Sequence, residues 1–315
     1  MNPTIYIGCD AHKSACTFCA IDEDGQTVWE GERPTNRKGF TNLKEKFAGY
    51  EIKMVIEACG FIWKLTDILV EIDFPFCVCD PGTNRHIGSS RKKTDKVDAR
   101  KLAHLLQCGY LNIIHVPTKY QRKVRTLTRE RFGLVRTRSK WLNQIKTAES
   151  EDQVERRKRL IAVINDEIKP LESPIKDMAK ADEDAKLLMT MPGIAEFSAL
   201  AVIGEIGSMN NFPSCGQYEA YCGLVPSVNQ SGKTTHMGRV RRDSNSMLSW
   251  IYTEAAWHAV RRPGKLATFF QKKAEQKGKC KAIVAVARKL SSYHYQMLKN
   301  RLTYDELVTA IRYIG

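Results

Sequence analysis

Before Pro117, short apolar runs without helical period alternate with stretches that have one, and two of the runs end on an acid. Thr4 to Cys9 reads as a strand ending at Asp10. Cys16 to Ile21 and Thr27 to Glu30 read as the next two, joined by the turn Asp22-Glu23-Asp24-Gly25. Asn36 to Ala48 has helical spacing, and Lys53 to Ile56 is a fourth strand ending at Glu57. Trp63 to Ile72 is a second helix, and Phe76 to Cys79 a fifth strand before Asp80-Pro81-Gly82. Three meandering strands, then helix, strand, helix, strand, bury their apolar faces as an α/β domain with a mixed sheet. A further helix, Thr94 to Cys108, is N-capped by Thr94 and carries Leu102, Leu105 and Leu106 as its apolar stripe.

Pro117 closes this part. From Thr118 to about Ser150 the spacing predicts one long helix: Leu127, Leu134, Trp141 and Ala148 recur every seven residues, with Val124 and Ile145 alongside and Arg131 and Arg138 interrupting the seam. Between Lys119 and Lys146 there are ten Lys or Arg and one acid, Glu130. A second helix, Val154 to Ile168, is expected to stop near Pro170 and Pro174. The two read as an antiparallel pair or as a coiled coil between chains. From about Leu187 the chain is mostly helical. Met191-Pro192-Gly193-Ile194 is a tight turn entering the helix Ser198 to Ile206, able to present N–H groups to a phosphate or simply to pack. Asn229 to Asp243 is polar, Gly-containing and basic, and Met247 to Val260 and Ala282 to Leu298 are helices.

Charge is divided along the chain. Of the net +15, residues 1–115 contribute nothing, with 15 basic and 15 acidic residues, while residues 116–315 hold 35 bases and 20 acids. An excess confined to one part points to a polyanion, nucleic acid, rather than to a generally solvated basic surface. Arg122, Lys123, Arg125, Arg129, Arg136 and Lys140 on the long helix, with Lys233, Arg239, Arg241 and Arg242 further on, are the candidate contacts.

No apolar run reaches the length of a membrane span, and Met1 to Gly8 runs straight into a strand, so neither a membrane segment nor a signal peptide is expected. The ten cysteines read as buried free thiols of a reducing cytoplasm. Cys16-x-x-Cys19 has zinc-ligand spacing but no second pair, and Cys77 and Cys79 lie in another apolar run. The expected location is the prokaryotic cytoplasm, at the nucleoid.

Asp10 and Glu57 stand at the carboxyl ends of strands, where an α/β sheet gathers its functional side chains. Asp95 and Asp98, three apart on a helix, share a face. Singly each has an ordinary role: a turn cap, a strand end, ion pairs with Lys92, Arg100 or Lys101. Together they would repel unless a hard divalent cation neutralised them, and paired metals about 4 Å apart suit phosphodiester chemistry. Mg²⁺ is the expected cofactor, with Mn²⁺ as the alternative.

The segments Ile7-Gly8-Cys9-Asp10, Ile56-Glu57-Ala58-Cys59-Gly60 and Lys93-Thr94-Asp95-Lys96-Val97-Asp98-Ala99-Arg100 resemble the DEDD motifs of the Piv/MooV family. These are the transposases of the IS-one-ten insertion sequences and a related pilin-gene invertase. Met191 to Ile194, Tyr221-Cys222-Gly223-Leu224-Val225-Pro226 and Gln230-Ser231-Gly232-Lys233 are similar to that family's second domain, so the likeness spans nearly the whole chain. The departure is Asp243-Ser244-Asn245, where relatives often carry Arg-Gly-Asn. The resemblance implies an RNase H-like, RuvC-like first domain over 1–117, a helical coiled-coil region over 118–185 and a mostly α transposase domain over 186–315. It makes Asp10, Glu57, Asp95, Asp98 and Ser231 the catalytic residues. It also implies a dimer or tetramer, double-stranded donor and target DNA, and a structured guide RNA, the bridge RNA, whose pairing would leave the protein to read backbone and shape.

From the residues alone Ser231 is a serine beside a glycine in a polar loop, with Ser227, Ser244 and Ser246 as rivals. Its neighbours Lys233, His236, Arg239, Arg241 and Arg242 suit charge building on a phosphate. A hydrolytic Holliday-junction nuclease and a non-catalytic nucleic-acid-binding protein are the competing functions.

Overall fold

The structure, a computed structural model, describes residues 2–81, 94–231, 234–240 and 244–314. The chain divides into two compact units, Met1–Val116 and Pro117–Gly315.

The first unit is a mixed sheet with helices on both faces. Its elements are β1 (Thr4–Ala11), β2 (Ala15–Ile21), β3 (Thr27–Pro34), α1 (Arg37–Lys46), β4 (Glu51–Glu57), α2 (Ile62–Glu71), β5 (Cys77–Cys79), α3 (Asp95–Gln107) and β6 (Ile113–Ile114). The strand order is β3-β2-β1-β4-β5-β6. β1 runs antiparallel to β2 and parallel to β4, and β4 is parallel to β5. Strand side chains alternate between faces. Ile5, Ile7 and Cys9 therefore bury on one side with Phe18, Phe40, Leu43, Leu65 and Leu69. Tyr6 turns to the other side, where Cys19 and Ile21 meet Ala99 and Ala103 of α3. Short β6, two residues long, has too little pattern to be read from sequence.

In the second unit α4 (Lys119–Ile145) opens on a capping box between Thr118 and Gln121, and α5 (Glu151–Ala181) follows. The two are antiparallel. Arg131 Nε donates to Glu172 at 2.9 Å, Arg138 Nη1 to Asn165 Oδ1 at 3.0 Å, and Arg157 Nη1 to the carbonyl of Gln144 at 3.1 Å. The two arginines that break the apolar seam thus reach polar partners on the facing helix. α5 does not stop near Pro170 and Pro174 as expected; it continues to Ala181. Both prolines are exposed, while Ile168, Ile175 and Ala179 stay buried, so the rings occupy the face of α5 that packs against nothing in the core.

The chain continues through α6 (Glu183–Met189), α7 (Glu196–Ile206), α8 (Cys215–Tyr221), the hairpin β7 (Pro226–Ser231) and β8 (Thr234–Val240), α9 (Ser246–Val260), α10 (Lys265–Lys277), α11 (Lys279–Asn300) and α12 (Tyr304–Ile314). Leu200, Val202, Leu248, Ile251, Val286 and Leu290 are among its buried core. The turn Met191 to Ile194 is packed inward: Gly193, at φ +86°, has Ala255 and His258 of α9 at 3.0 Å from where a Cβ would be. Among the described residues no helix is long and apolar enough to cross a membrane.

Candidate functional site

The acid site is built on Gly8. A Cβ there would lie 1.9 Å from the carbonyl oxygen of Ala99 and 2.6 Å from the nitrogen of Ala103, so the backbone of α3 rests directly on β1. Asp10 is two residues further on the same face of β1, and Asp95 is one turn before Ala99 on α3. Close contact at Gly8 therefore carries the first turn of α3 to the end of β1. The β1–β4 register, with Cys9 opposite Ile56, brings Glu57 level with Asp10 at the neighbouring strand end.

α3 is fixed at both ends. Thr94 caps it by accepting from Val97 N–H at 3.4 Å. Arg100 donates twice to Glu30 of β3, at 3.0 and 2.6 Å, and Gln107 donates to the carbonyls of Asp22 and Glu23 in the β2–β3 turn. Asp95 and Asp98 sit in the first turn, where the helix dipole favours negative charge.

His12 was not among the expected residues. It lies in the tight β1–β2 turn, held by its own N–H to the carbonyl of Ala15 at 3.1 Å and by Thr35 Oγ1 donating to its carbonyl at 2.6 Å. Its Nε2 stands 3.4 Å from Asp10 and 3.3 Å from Asp95. Ligand atoms of Asp10, His12 and Asp95 all fall within 4.8 Å of one another. Asp98 is outside that trio and pairs with Lys101 at 3.8 Å. Burial pushes the Asp10 carboxyl up from the ordinary carboxylate range; His12 opposes the rise, while repulsion from Asp95 and Asp98 adds to it. The Cys59 thiol is raised mainly by burial, and the charges of both Asp10 and Glu57 add to that. Of the four expected acids, then, Asp10 and Asp95 meet around an imidazole, while Asp98 and Glu57 flank them. Two carboxylates and an imidazole at this spacing fit a divalent cation.

The Cys16-x-x-Cys19 pair is not a zinc site here. Both thiols are free and buried in β2, and the 4.8 Å group has no cysteine. Their side chains divide between the two sheet faces, Cys16 with the Ile5 cluster and Cys19 against α3.

Ser231 belongs to the other unit. It ends β7, opposite Thr234 of β8. The polar, basic stretch Asn229 to Asp243 thus holds most of a β-hairpin. Arg239 lies on β8; Lys233, Arg241 and Arg242 lie outside the described residues.

The basic residues of α4 divide into two groups. Lys123, Arg136 and Lys140 are exposed. Arg122 donates to the carbonyl of Pro117 at 3.2 Å. Arg125 and Arg129 turn to the protein: Arg125 reaches the carbonyls of Gly204 and Glu205, and Arg129 grips the carboxylate of Glu205.

Residues 7–148 match the DEDD transposase family of the IS110 type, and residues 185–271 match the transposase family of IS116/IS110/IS902. The four acids and His12 fall in the first match, Ser231 in the second. The transposase for insertion sequence element IS1111A of Coxiella burnetii is 23% identical over 95% of this chain and 90% of its own length. The pilin gene-inverting protein of Moraxella bovis is 25% identical over 96% of this chain and 98% of its own. An acid-edged mixed sheet joined to a basic helical unit, with these matches, defines an enzyme of DNA recombination, a transposase. The chain belongs to the IS110/IS116/IS902 family of insertion-sequence transposases.

Proposed function

We propose that this transposase cuts and rejoins DNA through a serine–phosphodiester intermediate on Ser231. The serine Oγ attacks phosphorus, the bond to one deoxyribose oxygen breaks, and that oxygen takes up the proton the serine releases. Rejoining is the reverse attack by a deoxyribose hydroxyl, which returns the proton to Ser231. One phosphoester bond is exchanged for another in each step, so no outside energy source is needed.

The reading is carried by the meeting of Asp10 and Asp95 with His12 at the strand ends, in a chain whose second transposase match contains Ser231. Asp10, Asp95 and His12, flanked by Glu57 and Asp98, would hold Mg²⁺ or Mn²⁺. The bound ion supplies Lewis-acid stabilisation of charge on phosphate oxygens. The protein's own share is to hold the carboxylates at fixed spacing on rigid elements, and Lys233, Arg239, Arg241 and Arg242, which follow the serine in sequence, would answer the phosphate charge. Residues 1–117 are an RNase H-like, RuvC-like DEDD domain, a reading supported by the antiparallel β3-β2-β1 meander extended in parallel by β4 and β5. Residues 118–185 are a basic coiled-coil region. Leu142, Leu160 and Val163, 46–59% exposed near the α4–α5 turn, support contact there with another chain in a dimer or tetramer. Residues 186–315 carry the serine. Double-stranded donor and target DNA and a structured bridge RNA are the proposed partners, at the bacterial nucleoid.

The test is a covalent adduct on DNA carrying the element's ends, detected on a denaturing gel. Ser231→Ala is expected to abolish it and Ser227→Ala to retain it. Cleavage without an adduct, equal in parent and Ser231→Ala, would instead establish the hydrolytic nuclease.

A further inference from the structure

We infer that Glu205 is a positioning residue for the Ser231 hairpin, a buried carboxylate that ties the hairpin's root to the basic helix α4. Its catalytic consequence rests on Ser231 being the nucleophile. Its structural consequence does not.

Glu205 is 2% exposed, near the end of α7. Arg129 of α4 grips its carboxylate with Nε at 2.7 Å and Nη2 at 2.8 Å. Asn245 Nδ2 donates to the Oε2 of the same carboxylate at 2.7 Å. The residue's carbonyl accepts from the Tyr221 hydroxyl at 3.0 Å and from Arg125 Nη2 at 2.9 Å, and Arg125 Nε reaches the Gly204 carbonyl at 2.6 Å. These carbonyls belong to the last turn of α7, which leaves them without helical partners, and the guanidinium sits at the negative end of the helix.

Tyr221 and Asn245 are the two roots of the hairpin. The chain leaves α8 at Tyr221 and enters α9 after Asn245, its N-cap, which accepts from Met247 and Leu248 N–H. Asn245 N–H also donates to the Tyr221 carbonyl at 3.0 Å. Both roots therefore meet at one residue. That residue is fixed in turn to α4, because Gly204 lets the helices close: a Cβ there would lie 2.6 Å from Val124 Cγ1. A buried carboxylate is costly unless fully partnered, and apolar side chains would pack the same space. What it adds is direction: bidentate to Arg129 on one side, single to Asn245 on the other. Arg129 is 60% exposed while it grips Glu205, so α4 and the hairpin root share a guanidinium that nucleic acid can also approach.

The experiment pairs hydrogen exchange with adduct formation in the full chain. Asn245→Ser keeps an N-cap for α9 but is too short to reach Glu205. Glu205→Gln keeps the shape but turns one carboxylate oxygen into an N–H donor, so it cannot keep both Arg129 bonds together with the Asn245 bond. In each, amides of 226–240 are expected to exchange about tenfold faster while α11 is unchanged, since one charge-assisted bond is lost locally. Adduct formation is expected to slow about 10- to 100-fold at unchanged DNA affinity, the usual penalty for a misplaced reacting group. If Glu205→Gln does not fold, Asn245→Ser carries the test. Parent-like exchange and adduct rates in Asn245→Ser, or faster exchange everywhere including α11, overturn the inference. If Ser231→Ala still forms the adduct, the serine reading falls, and local loosening in Asn245→Ser still establishes the positioning role.

Discussion

Gly8 lies against the backbone of Ala99 so closely that a Cβ would stand 1.9 Å from the Ala99 carbonyl oxygen. The obstacle is helix backbone, which cannot swing aside as a side chain would. Gly8→Ala must lift α3, and Asp95 with it, away from Asp10. The expected cost is at least the ~1–3 kcal/mol of core overpacking, with weaker Mn²⁺ binding. Gly60, with nothing within 4 Å of its Cβ position, is the control: Gly60→Ala should stay within about 0.5 kcal/mol of the parent. Urea unfolding and Mn²⁺ titration of both variants check this.

Asp10→Asn should raise the thermal midpoint in the presence of chelator. The folded protein holds the Asp10 carboxyl above its ordinary range through burial, with repulsion from Asp95 and Asp98 adding to it. A raised carboxyl contributes stability below its unfolded pKa of about 3.9 and loses that contribution as pH rises through the folded value. At neutral pH the parent therefore carries a cost that the amide relieves. The gain should vanish when Mg²⁺ is added, because the ion stabilises the parent and not the variant. A variant no more stable than the parent in chelator counts against a buried Asp10 carboxylate crowded by Asp95 and Asp98.

His12→Gln separates the imidazole from the acids. Nitrogen ligands favour Mn²⁺ over Mg²⁺. The variant should lose at least roughly tenfold in Mn²⁺ affinity, since losing only a hydrogen-bond partner of a ligand already costs that much, and much less for Mg²⁺. Calorimetric titration with each metal reads the difference; equal losses would make His12 a bystander.

That Asp10 and Glu57 lie at strand ends and that Asp95 and Asp98 share the first turn of one helix was legible, because these positions follow from spacing. His12 was not, because a single histidine in a turn has no period, and the ties to Ala15 and Thr35 that hold it are contacts of the folded chain. The hairpin was not legible because Val228, Met237 and Val240 are too sparse among polar residues to show an alternating pattern. The available signal was in the sequence: the turn-forming Gly232-Lys233 pair ahead of the β-branched Thr234 and Thr235. Pro170 and Pro174 misled because a proline's cost depends on which face it occupies, which sequence does not display. Glu205 sits in the apolar run Ala199 to Ile206, where nothing announces that Arg129 and Asn245 will converge on it.

His294 predicts acid sensitivity of the second unit. Its Nδ1 pairs with the Tyr252 hydroxyl at 2.7 Å, and its Nε2 is buried with no hydrogen-bond partner among the described residues. Burial lowers its pKa to about 3. Because the folded value lies below the unfolded 6.5, the unfolded chain takes up the proton first. The contribution is complete above about pH 6.5 and is lost as pH falls toward 3, by as much as ~4–5 kcal/mol at about 1.4 kcal/mol per unit. Denaturant unfolding at several pH values, followed by tryptophan fluorescence, should give a shallower slope over this range for His294→Gln than for the parent.

Exposed and engaged basic residues of α4 should separate by salt dependence. A side chain that neutralises a phosphate releases a counterion, and each contact adds about 0.9 to the slope of log affinity against log salt on duplex DNA. Lys123, Arg136 and Lys140 are exposed, so their combined replacement by alanine should flatten the slope by up to about 2.7 with the fold intact. Arg125 is held by the carbonyls of Gly204 and Glu205 at 2.6 and 2.9 Å. Arg125→Ala should instead lower the unfolding free energy by about 1–3 kcal/mol, as buried carbonyls lose a charged donor, and leave the slope unchanged. A flat response in the triple variant with a reduced slope in Arg125→Ala would reverse the assignment and place the nucleic-acid face on the side of α4 that packs against α7.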